Sequence, residues 1–350
     1  MPILREEFRG KLLPVLLIAL CISTLVALGA GAVHVPPREI VAMIVARLPR
    51  VCQEAGWEKD STPNETIVLG IRLPRVILSA VVGASLSAAG AIYQGLFRNP
   101  MADPYVIGAS AGASLGATCA FLLSTGFHFL GIGSVPLLAF TGSLAAVAVV
   151  YNLARIGERT PILSLVLAGI AVSAVLSAVV SLLMFLAPYE GIHGLIFWLM
   201  GGFSGRRWEY VLMILPYSCL GFGTVLFYSR ELNVMLLGEE AALHLGVEVE
   251  KVTKILVTAA SLLTASAVAA GGIIGFVGLV IPHLVRMLIG PDHRRLVPAA
   301  CVMGATSLMM ADTIARTVIP PRELPVGIIT ALVGGPFFIY LLRQYRVRPW

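Results

Sequence analysis

The chain has 350 residues, of which 58% are hydrophobic and 13% charged, and its mean hydropathy is +0.91. Soluble domains carry about 25% charged residues, so this composition excludes a soluble enzyme or binding module and describes a polytopic membrane protein. The net charge of +6 calls for no nucleic-acid partner, because basic residues collect at the cytoplasmic ends of membrane spans.

Ten apolar stretches are long enough to cross about 30 Å of hydrocarbon: Leu12–Val33, Val76–Phe97, Tyr105–Thr125, Ser134–Ala154, Ile162–Ala187, Tyr210–Tyr228, Val252–Ala270, Ile273–Ile289, Val297–Val318 and Pro325–Leu342. An even number puts both termini on one side of the membrane. Fifteen of the 25 Lys and Arg fall on that side, which makes it cytoplasmic. Ala30-Gly31-Ala32 looks like a cleavage site, but the 22-residue run Leu12–Val33 exceeds a signal-peptide core of about 7–15 residues, so the first span is expected to stay. Four of the five cysteines lie in spans and only Cys52 lies outside, so no disulfide framework follows.

An external segment, His34 to Ile71, separates the first two spans, with an amphipathic helix expected from Pro37 to about Arg47 and a polar loop behind it. The second span is bracketed by Arg72-Leu73-Pro74-Arg75 and Arg98-Asn99-Pro100-Met101-Ala102-Asp103-Pro104. Within it Ser79, Gly83, Ser87, Ala91 and Gly95 recur at every fourth position. Small residues at that spacing let helix backbones approach closely in lipid, so this helix belongs inside a bundle. Asn99 to Pro104 reads as a rigid inner turn, since an Asx-type residue precedes each proline.

The outer connection after span five holds a glycine-bounded apolar run, Gly191 to Gly202, too short to span and expected as a short helix at the outer mouth. The inner connection from Ser229 to Lys251 carries Glu239, Glu240, His244, Glu248 and Glu250, with Val234, Leu237, Ala241 and Leu245 at helical spacing. That pattern predicts a helix across the inner face with one acidic and one apolar side, a docking surface. Arg286 in span eight is expected to snorkel to the interface. Asp312 is the one acid placed well inside a span, and its spacing from Arg316 predicts a local i,i+4 ion pair.

None of the four lysines completes a phosphate-binding Gly-x-x-x-x-Gly-Lys-Ser/Thr loop, and no His/Cys cluster or Ser/His/Asp set can be assembled on one face. The chain therefore reads as non-catalytic, with no cofactor or metal site of its own. An ion-driven secondary carrier is the competing class, with Asp312 as its coupling carboxylate, although such carriers usually need several intramembrane acids.

Arg72-Leu73-Pro74-Arg75, the Gly-Ala-Ser-Leu-Ser-Ala-Ala-Gly run from Gly83, Asn99 to Pro104, and Gly275-Phe276-Val277-Gly278-Leu279-Val280-Ile281-Pro282-His283 together resemble the FecCD-type permease family. Its members are the membrane subunits of ATP-binding-cassette importers for iron-siderophores, haem and vitamin B12 (cobalamin). The resemblance runs from Leu12 to Leu342, and the external stretch from Arg47 to Pro63 is longer than the family's. It implies an all-α, ten-span, type II importer permease fold forming a single domain, with spans two to five and seven to ten as an inverted repeat. It further implies a homodimer in a prokaryotic inner membrane, two ATPase subunits that hold ATP and Mg on the cytoplasmic face, and a periplasmic or lipid-anchored substrate-binding protein outside. The implied cargo is an iron-siderophore first, with haem or cobalamin next.

The same resemblance implies site residues. The inner gate falls on Asn99 and Met101. A second gate contribution falls at the start of span five, where Ile162 and Leu163 replace the hydroxyl pair of the B12 member, and it stays unassigned. Gly238, Glu239, Glu240, Ala241, Ala242 and Gly246 match the segment that couples to the ATPase. Arg72, Arg75 and Arg316 match arginines that receive acidic residues of the binding protein.

Overall fold

In hydrocarbon every backbone N–H and C=O must be satisfied within its own segment, so apolar stretches of this length fold as helices. The computed structural model describes residues 6–31, 33–46, 63–123, 128–129, 132–157, 159–187 and 189–347. In chain order the helices are α1 (Glu6–Gly29), α2 (Pro37–Ala46), α3 (Pro63–Glu65), α4 (Leu73–Leu96), α5 (Ala109–Leu122), α6 (Ser134–Ala154), α7 (Ile162–Leu186), α8 (Tyr189–Leu199), α9 (Trp208–Phe227), α10 (Ser229–Met235), α11 (Glu239–His244), α12 (Val249–Gly271), α13 (Val277–Ile289), α14 (His293–Thr317) and α15 (Val326–Val347). The described strands are two-residue pieces, β1 (His128–Phe129) and β2 (Ile132–Gly133), paired antiparallel. Each of the ten expected spans coincides with a helix, and seven helical stretches are long and apolar enough to cross a membrane.

Three expectations are revised. The second span does not begin at Val76, because a π-helical stretch, Thr66–Arg72, joins α3 to α4 and makes one helical stretch of 34 residues from Pro63 to Leu96. The inner connection is two short helices instead of one, broken where Gly238 takes φ 114°, a conformation that side chains disfavour. Spans three and eight are cut to the 14 residues of α5 and the 13 of α13. Each begins after a non-helical stretch that ends on a left-handed residue, Gly108 at φ 86° and Phe276 at φ 68°. The expected polar loop beyond Ala46, with Cys52, lies outside the described residues.

Helix α4 is the centre of the bundle, in contact with α14, α12, α13 and α9. Its residues are buried on nearly every side from Pro74 to Leu96, whereas α7 buries only Leu165, Gly169 and Val180. The small-residue stripe explains the difference. A Cβ on Gly83 would run into the carbonyl of Gly304 on α14, one on Gly90 into the carbonyl of Gly278 on α13, and one on Gly95 into the His293 ring. Ser79, Ser87 and Ala91 are fully buried in the same seam, so close backbone packing replaces the hydrophobic drive that lipid does not supply.

Candidate functional site

The N-terminal end of α4 and the C-terminal end of α14, on the side expected to face outward, carry a buried ion network. The Arg75 guanidinium donates from Nε to Asp312 Oδ2 at 2.9 Å, from Nη2 to Asp312 Oδ1 at 2.8 Å, and from Nη1 to Glu323 Oε2 at 2.9 Å. This overturns the expected local pair between Asp312 and Arg316. Arg75 presents a planar fork to the carboxylate from the neighbouring helix in a bidentate geometry. Arg316 turns toward α1, where its Nη2 donates to the Ala27 carbonyl. With its carboxylate occupied by a fixed cation, Asp312 is not a free proton or sodium carrier.

Arg72 is 5% exposed and closes the carbonyl end of α1, donating from Nη1 to Leu28 O at 2.7 Å and to Gly29 O at 3.2 Å and from Nη2 to Val33 O. The last carbonyls of a helix have no partner within it, and this guanidinium supplies one. Of the three arginines matched to docking, Arg75 alone lines the outer cavity of about 600 Å³, together with Trp198, Ser204, Arg206 and Glu323. Arg206 also lies over the Tyr210 ring, 4.3 Å from its centroid.

At the inner end, α4 stops at Phe97 and Arg98 reverses the chain at φ 48°. Asn99 Oδ1 accepts the Met101 N–H at 3.0 Å and Asp103 Oδ1 accepts the Tyr105 N–H at 2.8 Å, so two Asx turns hold the segment. Burial raises the Asp103 carboxyl above its usual range, opposed by that Tyr105 bond. Asn99 is exposed and Met101 half-buried. The turn is braced by α13: His283 hydrogen-bonds the Pro100 backbone, and Pro104 seats where a Cβ on Gly278 would stand. Arg286 does not snorkel outward, since its Nη1 donates to Gln94 Oε1 at 3.0 Å. At the start of α7, Ile162 is half-buried and Leu163 exposed.

The segment matched to ATPase coupling lies beside this turn. Ala242 is fully buried and packs inward, with its carbonyl accepting the Val247 N–H at 3.0 Å, while Glu239 and Glu240 face solvent. Leu237, Leu243 and Leu245 are 68%, 56% and 63% exposed on a short polar connection between spans. Gly246 ends the segment at φ 81°. Glu239 Oε1 lies 3.3 Å from Arg98 Nη2, and Glu250 Oε1 accepts the Thr160 N–H at 2.9 Å. The sequence had placed Leu237 and Leu245 on the apolar side of one helix, and the break at Gly238 turns them outward with Leu243.

The FecCD transport family profile matches residues 16–344. A cobalamin import system permease protein of Halobacterium salinarum is 48% identical over 81% of this chain and 75% of its own length. A hemin transport system permease protein of Yersinia pestis is 42% identical, over 80% of this chain and 84% of its own. Among solved structures, an inward-facing ABC transporter assigned to the metal-chelate type superposes with a TM-score of 0.82 at 31% identity, over 96% of this chain and 99% of that one.

Proposed function

The chain belongs to the FecCD transport family, and on that footing we propose that it works as one of two identical copies that carry a metal chelate inward, an iron chelate before cobalamin. It is the membrane-spanning permease subunit of an ABC importer. The proposed partners are two ATPase subunits, which hold ATP and Mg at the inner face, and a substrate-binding protein outside. Both termini then lie in the cytoplasm of a prokaryotic cell.

The observation that carries the ATPase partner is the coupling segment itself. Three leucines stand exposed on a polar inner connection, anchored by a fully buried Ala242. Apolar side chains displayed there gain by burial against a second protein, roughly 1.5–3 kcal/mol for each one fully covered. The inner gate is proposed at Asn99 and Met101, on a turn held rigid by its own side chains. The mechanism is alternating access: nucleotide binding closes the ATPase pair, the coupling segments follow, and the cavity between the two copies opens to one face at a time. The two relatives described above are named for hemin and cobalamin transport, both large macrocyclic metal chelates. Cargo of that size is proposed for this chain, with the binding protein setting its identity.

Reconstitution tests this reading. Proteoliposomes holding the permease, its ATPase and the binding protein should take up the chelate that copurifies with that binding protein, and only with ATP. Uptake that continues without ATP and collapses with an ion gradient would overturn it.

A further inference from the structure

The turn after α4, proposed above as the inner gate, and the start of α7 are both tied to one connection. Glu239, the first residue of α11, holds Arg98 at 3.3 Å, and Glu250 in the first turn of α12 accepts the Thr160 N–H at 2.9 Å, two residues before α7 begins. These are not two remote contacts. Arg98, Thr160, Ile162, Glu239, Glu250 and Met235 line the same small cavity of about 20 Å³. Nothing in the local sequence required this, since the partners are 141 and 90 positions apart.

The backbone adds a second observation. Arg98 closes α4 in the left-handed conformation, φ 48°, at the position after the helix end that glycine fills without strain. A side chain stands where none is favoured, and the Arg98 Nη1 is also the nearest atom, at 4.0 Å, to where a Cβ on Gly238 would stand. Exposed ion pairs add little to stability, and this pair is 38% and 54% exposed.

We propose that Glu239 and Glu250 are the two struts by which the ATPase-facing connection moves both sides of the inner opening together, Glu239 pulling the Asn99–Met101 turn through Arg98 and Glu250 pulling the start of α7 through the Thr160 amide. This rests on the ATPase-docking reading above. Arg98, Glu239 and Glu250 are positioning residues, because none of them meets the cargo. Backbone attachment at Thr160 makes the second strut independent of the side chains at 162 and 163. The missing hydroxyl pair there does not weaken it.

The test measures motion of the turn and needs no cargo. In the permease–ATPase complex with native cysteines replaced, Met101→Cys carries a spin label, and distances between the two copies are read without nucleotide and with ATP and vanadate. The parent should show a nucleotide-dependent shift. Arg98→Glu and Glu239→Arg should each lose at least half of it, and the charge-swapped double variant should regain most of it. Arg98→Gly separates folding from transmission, since it suits the left-handed backbone and should keep thermal stability while losing the shift. Glu250→Ala should reduce the shift, and Glu250→Gln, which keeps an acceptor oxygen, should retain it. Single variants that move normally, or a double variant no better than either single, would overturn the proposal. Leu243→Asp addresses the docking reading separately. If it abolishes the shift while Arg98→Glu moves normally, docking stands and the struts are refuted; if it too moves normally, both fall.

Discussion

At the scale of single residues, the outer ion network sets the clearest expectations. Asp312 is 1% exposed and takes two donors from Arg75. Removing one member of a buried pair can cost about 3–5 kcal/mol, less here because Arg75 keeps Glu323, whereas replacing both by apolar groups is often neutral. Asp312→Asn should therefore lower the unfolding temperature of the detergent-solubilised protein markedly, and Arg75→Met/Asp312→Leu should restore most of it. An Asp312→Asn protein as stable as the parent would show that Glu323 alone suffices to hold Arg75. None of this was legible in the sequence, where the 237 positions between the partners hid the ion pair and the nearby Arg316 offered a local substitute. The bonds of Arg72 were hidden for the same reason. Its burial against carbonyls at the end of α1 depends on a helix more than 40 residues away, and only its charge and its place at a span end could be seen.

At the scale of elements, what the sequence revealed was whatever is periodic. The stripe from Ser79 to Gly95 identified α4 as the central helix because small residues every fourth position leave one reading. Span existence followed from apolar length. Helix starts did not, since residues 105–108 and 273–276 stay mostly apolar while the backbone breaks at Gly108 and Phe276. Hydropathy sees side chains, and these breaks are set by dihedral angles. The inner connection failed similarly: its apolar spacing fits one helix, but the left-handed Gly238 divides it into α10 and α11. Close approach in the α4 seam gives a paired prediction. Gly90→Val would drive methyl groups into the Gly278 backbone, and should give aggregated protein in size-exclusion chromatography. Gly223→Ala on α9 meets nothing within 4 Å and should be neutral or gain up to about 1 kcal/mol from helix propensity. Equal behaviour of the two variants would refute the packing account.

At the scale of the whole molecule, the two faces differ in what they offer a partner. The inner face presents leucines on a short connection, suited to a stable apolar contact. The outer mouth presents a cavity lined by Arg75, Arg206 and Glu323, suited to steering a soluble partner by charge. The arginines matched to docking divide accordingly: Arg72 serves the fold, while Arg75 reaches the cavity but already holds two carboxylates. The longer-range attraction then falls to cations at the rim, Arg206 over Tyr210 and its neighbour Arg207, which is exposed. Rim charges act mainly on association rate, and salt screens them over about 8 Å at physiological ionic strength. Arg206→Ala/Arg207→Ala should therefore slow association of the binding protein several-fold at low salt, leave its dissociation rate nearly unchanged, and converge with the parent at about 0.5 M salt. Arg72→Ala should behave differently, lowering thermal stability because the α1 carbonyls lose their donor. Stopped-flow or surface-binding kinetics across a salt series distinguish the two. If the double variant associates at the parental rate at low ionic strength, the acidic surface of the partner lands elsewhere on the outer face.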